Sequence, residues 1–408
     1  MSLNATPSAE RLHIGFFGIR NAGKSSVVNA VTNQDLSIVS DIKGTTTDPV
    51  KKAMEVLPLG PVVIIDTPGI DDEGDLGAQR IAKAKKALRT CDLAVLVVDA
   101  ARGMQAPDIE LIDAFSRAGI PFVTAFNKAD ALTPEACNKL ELGDNELLVS
   151  AKTGEGIYEL KDMLGACAKD VTKEKHLLAD LLQENDLVVL VIPIDSSAPK
   201  GRIILPQQMV LRDALDYHAI CMACQPENLK ATLDSLKKKP RIVITDSQAF
   251  GKVAQIVPDD IQLTSFSILM ARYKGSLADY AAGARALGTL TNDSRVLIAE
   301  GCTHHRQCDD IGTVKIPGWI KDYTGAEPHF EFSSGGGFPD SLDTFDLVVH
   351  CGGCMLNDRE MNYRVATARS AGVPIVNYGL AIAEMHGILQ RALRPFPDAK
   401  PYFEGIGQ

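Results

Sequence analysis

No stretch of this 408-residue chain approaches the ~18 to 20 consecutive apolar residues that spanning a bilayer requires, so no membrane segment is expected. The opening Met1-Ser2-Leu3-Asn4 lacks the basic, apolar and small-residue succession of a secretory leader, and a cytoplasmic protein is predicted. Runs of Lys and Arg are missing too, and the formal charge is -10. Binding to a nucleic-acid backbone rests on concentrated positive charge, so nucleic acid is a poor first candidate for a partner. Aromatic residues are scarce at 5%, yet hydrophobic residues reach 45%, enough to bury sizeable cores. The length points to two or three domains rather than one. In a reducing compartment the nine cysteines read as metal ligands or buried thiols rather than a disulfide framework.

Near the N-terminus, the apolar run Leu12 to Phe17 reads as a strand and leads directly into Gly18-Ile19-Arg20-Asn21-Ala22-Gly23-Lys24-Ser25. This is a G-x-x-x-x-G-K-S phosphate loop with a strand before it and a predicted helix, Ser26 to Val31, after it. The glycines let backbone N–H groups approach phosphates, Lys24 reaches the β and γ phosphates, and Ser25 ligates Mg²⁺. Asp66-Thr67-Pro68-Gly69 follows the apolar run Val62 to Ile65; Asp66 would hold Mg²⁺ through water and the Gly69 N–H would sense the γ-phosphate. Asn127-Lys128-Ala129-Asp130 follows Phe122 to Phe126, and a carboxylate there can accept two hydrogen bonds from the guanine edge. Ser150-Ala151-Lys152 follows Leu147 to Val149 and would close over the base. Four motifs in this order, each after a strand, define a GTPase.

These motifs resemble the TrmE-Era group of GTPases over residues 10 to 170. Gly44-Thr45-Thr46-Thr47-Asp48 matches that group's first switch, with Thr46, or Thr45 after it, contacting Mg²⁺ and the γ-phosphate. Position 70 is Ile rather than the glutamine that orients water in Ras-like proteins, so slow intrinsic hydrolysis is expected. Asn21 is the residue that potassium-activated members carry; it either recruits K⁺ or braces the loop through its side chain, and hydrolysis rates in KCl and NaCl separate the two.

A charged linker around 169–175 ends the GTPase domain, assigned to 1–172. A small α/β domain follows at 178–262, with strands at Leu187 to Ile194 and Arg241 to Thr245 and helices at Pro206 to Tyr217 and Glu227 to Lys237. It carries no nucleotide motif, which makes it a candidate for dimerisation. Cys221 and Cys224 have no second Cys or His pair nearby and read as buried thiols in a helical stretch.

The third domain, 264–408, alternates strands and helices as a parallel sheet does, giving an α/β chain overall. Cys302-Thr303-His304 follows the apolar run Val296 to Ala299, and His350-Cys351-Gly352-Gly353-Cys354 follows Leu347 to Val349. If both runs are parallel strands of one sheet, both ligand sets emerge on the same edge, where open α/β sheets place their sites. Thiolates take soft or borderline metals, which leaves zinc and iron–sulfur as competitors. Zinc favours four closed ligands in two short pairs; here only one pair is present, with Cys302 a third thiol, as suits a 4Fe-4S cluster with one exchangeable position. His304, His350, an external ligand or Cys308 could complete the shell.

Cys-x-His, some 45 residues, then His-Cys-x-x-Cys, behind a TrmE-Era-like GTPase and a small intervening domain, resembles the HydF family of FeFe-hydrogenase maturation GTPases over nearly the whole chain. That resemblance implies a homodimeric scaffold that binds GTP/GDP with Mg²⁺ and holds a 4Fe-4S cluster on Cys302, Cys351 and Cys354. His304 or His350 would then be a labile fourth ligand or touch the cargo. It also implies a diiron precursor as that cargo, received through the radical-SAM maturases HydE and HydG and delivered to the hydrogenase HydA. Two rivals remain: an RNA-associated TrmE-Era-like GTPase, and a GTPase with a structural zinc domain.

Overall fold

A computed structural model describes residues 7–33, 50–66, 87–138, 140–171, 175–194, 203–301 and 310–399. The chain forms two compact units, 1–174 and 175–408.

The first unit is built on a six-stranded sheet of β1 (Leu12–Phe17), β2 (Val50–Val56), β3 (Gly60–Asp66), β4 (Leu93–Asp99), β5 (Phe122–Asn127) and β6 (Glu146–Leu148). Their spatial order is β2-β3-β1-β4-β5-β6, with only the β2/β3 hairpin antiparallel. Sheets covered on both faces need near-continuous apolar strands, and β4 is buried along its whole length. Alternate residues of β4 feed two cores. Val95 and Val97 pack with Val27, Val28 and Val31 of the helix Lys24–Thr32 and with Leu160 and Leu164 of the helix Ile157–Val171. Ala94, Leu96 and Val98 pack on the opposite face with Leu111 and Phe115 of the helix Ala106–Arg117. Fully burying a side chain such as Phe115 contributes about 2 to 3 kcal/mol.

The second unit contains two four-stranded parallel sheets around one continuous apolar core. One holds β7 (Leu187–Val191), β8 (Ile220–Cys224), β9 (Ile242–Thr245) and β10 (Gln262–Ser265) in the order β10-β9-β7-β8. The other holds β11 (Arg295–Glu300), β12 (His329–Ser334), β13 (Leu347–His350) and β14 (Ile375–Asn377) in the order β12-β11-β13-β14. Read from either end, the connectivity is the same: the second strand lies outside the first, and the third and fourth continue on the other side. This arrangement puts a topological switch point between β11 and β13. It also leaves the second strand of each sheet as an exposed edge: Ile220 and Met222 of β8 are 52% and 36% accessible, and Phe332 of β12 is 42% accessible.

Two local expectations are corrected. Cys221 and Cys224 lie on edge strand β8 rather than in a helix, and both are half-buried. Desolvation holds both thiols above the ordinary cysteine pKa. Strand β10 runs to Ser265 and pairs with β9 along its whole length, so the middle sheet continues past residue 262.

Candidate functional site

In the first unit the phosphate-loop motif lies between β1 and the helix Lys24–Thr32, as a strand–loop–helix anion cradle requires. Its curvature depends on backbone that most residues avoid: Asn21 sits at φ 66° and Gly23, the helix N-cap, at φ 87°. A Cβ on Gly23 would collide with Asn127 Nδ2, and one on Gly18 with the Val97 carbonyl oxygen. Glycine is therefore needed there both for conformation and for close approach. Lys24 is buried, while Ser25 and Ser26 are exposed at the first helical turn.

The guanine-side motifs lock onto this loop. Asn127 is buried at the end of β5; its Nδ2 donates to the Ala22 carbonyl at 3.0 Å, and its Oδ1 accepts from the Ala151 N–H at 3.1 Å. One side chain thus ties the phosphate loop to the Ser150-Ala151-Lys152 segment. Lys128, at φ 68°, donates through Nζ to the Asn21 carbonyl at 2.6 Å and to Asp99 Oδ2 at 2.6 Å. Burial pushes the Asp99 pKa up, but the Lys128 and Ala101 hydrogen bonds and the nearby positive charges outweigh it, so the carboxyl is held below its ordinary value. Asp99, at the end of β4, belongs to no motif singled out above. Ser150 Oγ donates to Asp130 Oδ1 at 2.7 Å, and Lys152 Nζ lies 3.6 Å from Asp130 Oδ2. The Ser150 hydrogen bond leads in holding Asp130 ionised below the ordinary carboxylate range. Asp66 ends β3 beside Phe16 of β1. Thr45, Thr46, Gly69 and Ile70 lie outside the described residues.

In the second unit β11 and β13 are parallel neighbours, with Ala299 opposite His350. Gly301 and Cys351, which follow them, therefore lie side by side at the same sheet edge. The Gly301 N–H donates to Cys351 Sγ at 3.1 Å, and the Gly353 N–H reaches the same sulfur at 3.4 Å. Two amide donors aimed at one sulfur suit a thiolate, the form that ligates iron. A Cβ on Gly301 would lie 3.5 Å from the Gly353 Cα, so the two turns touch through their glycines. Gly353 is at φ 64° against Met361, which keeps the Cys-Gly-Gly-Cys turn tight. Cys354 is half-buried; desolvation raises its thiol pKa, and the Lys274 charge pulls it partly back. Cys302, His304 and Cys308 lie outside the described residues, although Cys302 is bonded directly to Gly301. Among the described residues, no three His, Cys, Asp or Glu side chains gather as a metal site.

His350 does not offer a ligand nitrogen in this arrangement. It is fully buried, with Nδ1 2.7 Å from the Cys351 carbonyl oxygen and Nε2 3.0 Å from Arg364 Nη1. Guanidinium groups only donate, so Nε2 accepts and Nδ1–H donates. Burial first, and then the Arg364 charge, push its pKa down to about 3, which leaves it neutral. Both nitrogens are engaged in hydrogen bonds within the protein.

A six-stranded α/β sheet with a phosphate loop, and guanine-side motifs hydrogen-bonded to it, defines a GTP-binding hydrolase. The GTPase segment, 13–128, matches the family model described as 50S ribosome-binding GTPase. Residues 177–275 match the hydrogen maturase F dimerization domain and residues 278–395 the hydrogen maturase F tetramerization domain. The chain belongs to the HydF family, and it is a GTP hydrolase that binds GTP/GDP and Mg²⁺. Among curated relatives, the tRNA modification GTPase MnmE of Chromobacterium violaceum is 35% identical over 178 residues, 41% of this chain and 39% of that protein. MnmE of Helicobacter pylori (strain HPAG1) is 36% identical over 200 residues, 45% of this chain and 41% of that protein. The chain thus spans about two-fifths of the length of these relatives. Among solved structures, a variant of Aquifex aeolicus Era bound to GDP·AlF4⁻ is 19% identical with a TM-score of 0.32, covering 52% of this chain and 91% of Era. The G domain of T. maritima FeoB is 23% identical with a TM-score of 0.31, covering 39% and 99%.

Proposed function

We propose that this protein is a nucleotide-timed scaffold in FeFe-hydrogenase maturation, with the GTPase domain at 1–172, a dimerisation domain running from 178 through strand β10, and a cluster domain after it. In this reading the third domain holds a 4Fe-4S cluster on Cys302, Cys351 and Cys354. The observation that carries it is Cys351 Sγ accepting N–H bonds from Gly301, beside Cys302, and from Gly353. Three thiols leave one iron position for an exchangeable ligand, from His304 or from the diiron cargo itself. Lys24, Ser25, Thr46 and Gly69 handle the phosphates and Mg²⁺, and Asp130 reads guanine. Anaerobic loading with iron and sulfide should give brown protein with broad absorption near ~400 nm, as thiolate-bound clusters show. Colourless protein with bound zinc would support the structural-zinc rival instead.

GTP acts as a timer in this proposal: ordering the switches alters a surface and hydrolysis releases it. The affinity for the apo-hydrogenase HydA, or for HydE or HydG, should differ between GTP- and GDP-loaded protein. Equal affinities in a binding titration would remove the timer.

The family's dimerization and tetramerization modules support self-association. The surface assigned to a second copy is strand β8, a sheet edge among the described residues, whose exposed Ile220 and Met222 are otherwise an aggregation hazard. Met222→Lys should give a smaller particle by light scattering; an unchanged mass would exclude this edge.

A further inference from the structure

Arg364 is fully buried on the polar helix Asp358–Ser370. Each nitrogen of its guanidinium is spent on a different element. Nε donates to Glu360 Oε1 at 2.9 Å, one turn back on the same helix. Nη1 donates to His350 Nε2 at 3.0 Å, and Nη2 to the Gly335 carbonyl after β12 at 2.5 Å. The plane's centre lies 4.9 Å from the centroid of the buried Phe338 ring. A buried cation is costly unless it is fully paired, and here it is. What it holds is a chain of bonds ending at the cysteine turn, because His350 passes the contact on through Nδ1–H to the Cys351 carbonyl. Asn377 Nδ2 approaches the same oxygen at 3.5 Å.

We propose that Arg364 is a positioning residue for the cluster turn. It acts through His350, which is a strut behind Cys351 and not an iron ligand. The inference rests on the cluster reading above. Glu360 keeps the guanidinium charge paired, Gly335 fixes its plane, and the imidazole transmits its position to the Cys351 peptide. The thiolate is then presented to iron with its backbone already immobilised, so that little further ordering accompanies cluster uptake. Outer partners of metal ligands commonly change metal affinity by about ten- to a hundredfold. The same scale is expected here.

The test uses full-length protein loaded anaerobically with ferrous iron and sulfide, and follows release of iron to a chelator. Arg364→Gln and His350→Phe should each release iron about tenfold or more faster than wild type. The double variant should release it no faster than the worse single, as expected for two links of one chain. With ¹⁵N-labelled histidine, any nitrogen hyperfine signal from the reduced cluster should be unchanged in His350→Phe. Far-UV circular dichroism and melting temperature report the fold. If Arg364→Gln does not fold, His350→Phe, which keeps the ring volume and removes both bonds, carries the same expectation. Folded variants that hold iron as tightly as wild type overturn the inference, as does a double variant whose effects multiply. Loss of a histidine signal in His350→Phe overturns it too, by making His350 a ligand. Wild type that takes up no iron overturns the cluster reading and this inference with it.

Discussion

Asp130→Asn protein is expected to bind GTP at least about a hundredfold more weakly than wild type and to gain affinity for xanthosine triphosphate. The carboxylate is held in place by Ser150 Oγ at 2.7 Å and approached by Lys152 at 3.6 Å, and these contacts keep it ionised. An ionised carboxylate only accepts, and guanine's ring N–H and exocyclic amine both donate, so the two surfaces match through charge-assisted bonds. Asparagine can retain the Ser150 bond through its oxygen, but its amide nitrogen then faces guanine's amine, donor against donor. Xanthine carries an oxygen where guanine carries the amine and restores the match. Because the Asp130 pKa is lowered, the carboxylate keeps its charge to a lower pH than an ordinary aspartate does. Wild-type preference for GTP should therefore persist in mildly acidic buffer. Titration with fluorescent GTP and xanthosine triphosphate at one pH decides the matter. An unchanged preference would mean that Asp130 does not face the base.

The strands that carry the chemistry were legible because each is a short, nearly uninterrupted apolar run ending in its motif. Val62 to Ile65, Phe122 to Phe126, Val296 to Ala299 and Leu347 to Val349 all lie on strands. Strand β8 is as apolar a run, Ile220 to Cys224, but it ends in no motif, and the Cys221 to Cys224 spacing fits one face of a helix as well as a strand. The supporting residues were illegible on other grounds. Glu360 and Arg364 read as a solvent-exposed i,i+4 ion pair on a polar helix. Only the packing of that helix over His350 and Phe338 turns the pair into a buried clamp. Asp99 closes a long buried strand, and nothing local links it to Lys128, 29 residues further on. Lys274 is likewise buried by tertiary contacts; its Nζ donates to the Leu356 carbonyl at 2.8 Å, 82 residues away, just past the cysteine turn. Motif spacing marks groups that could meet a ligand. Groups that only orient them leave no periodic trace.

Replacing Cys351 and Cys354 together by serine should leave a folded protein that stays colourless after anaerobic loading and retains at least about tenfold less iron than wild type. Serine nearly preserves side-chain volume, and both sites are only half-buried, so the turn, set by Gly352 and by Gly353 at φ 64°, has no steric reason to change. What is lost is chemical. A hydroxyl does not ionise near neutrality and is a hard donor, whereas iron–sulfur iron is held by thiolate. Of the two single variants, Cys351→Ser should be the more damaging. Among the described residues its sulfur accepts N–H bonds from both turns, at Gly301 and at Gly353, and so joins the end of β11 to the segment ending at Cys354. Iron and sulfide content, read beside the absorption near ~400 nm, checks the order. If the double serine variant turns brown like wild type, this turn does not hold the cluster. If it loses colour but binds zinc as wild type does, the metal of this edge lies elsewhere among the thiols.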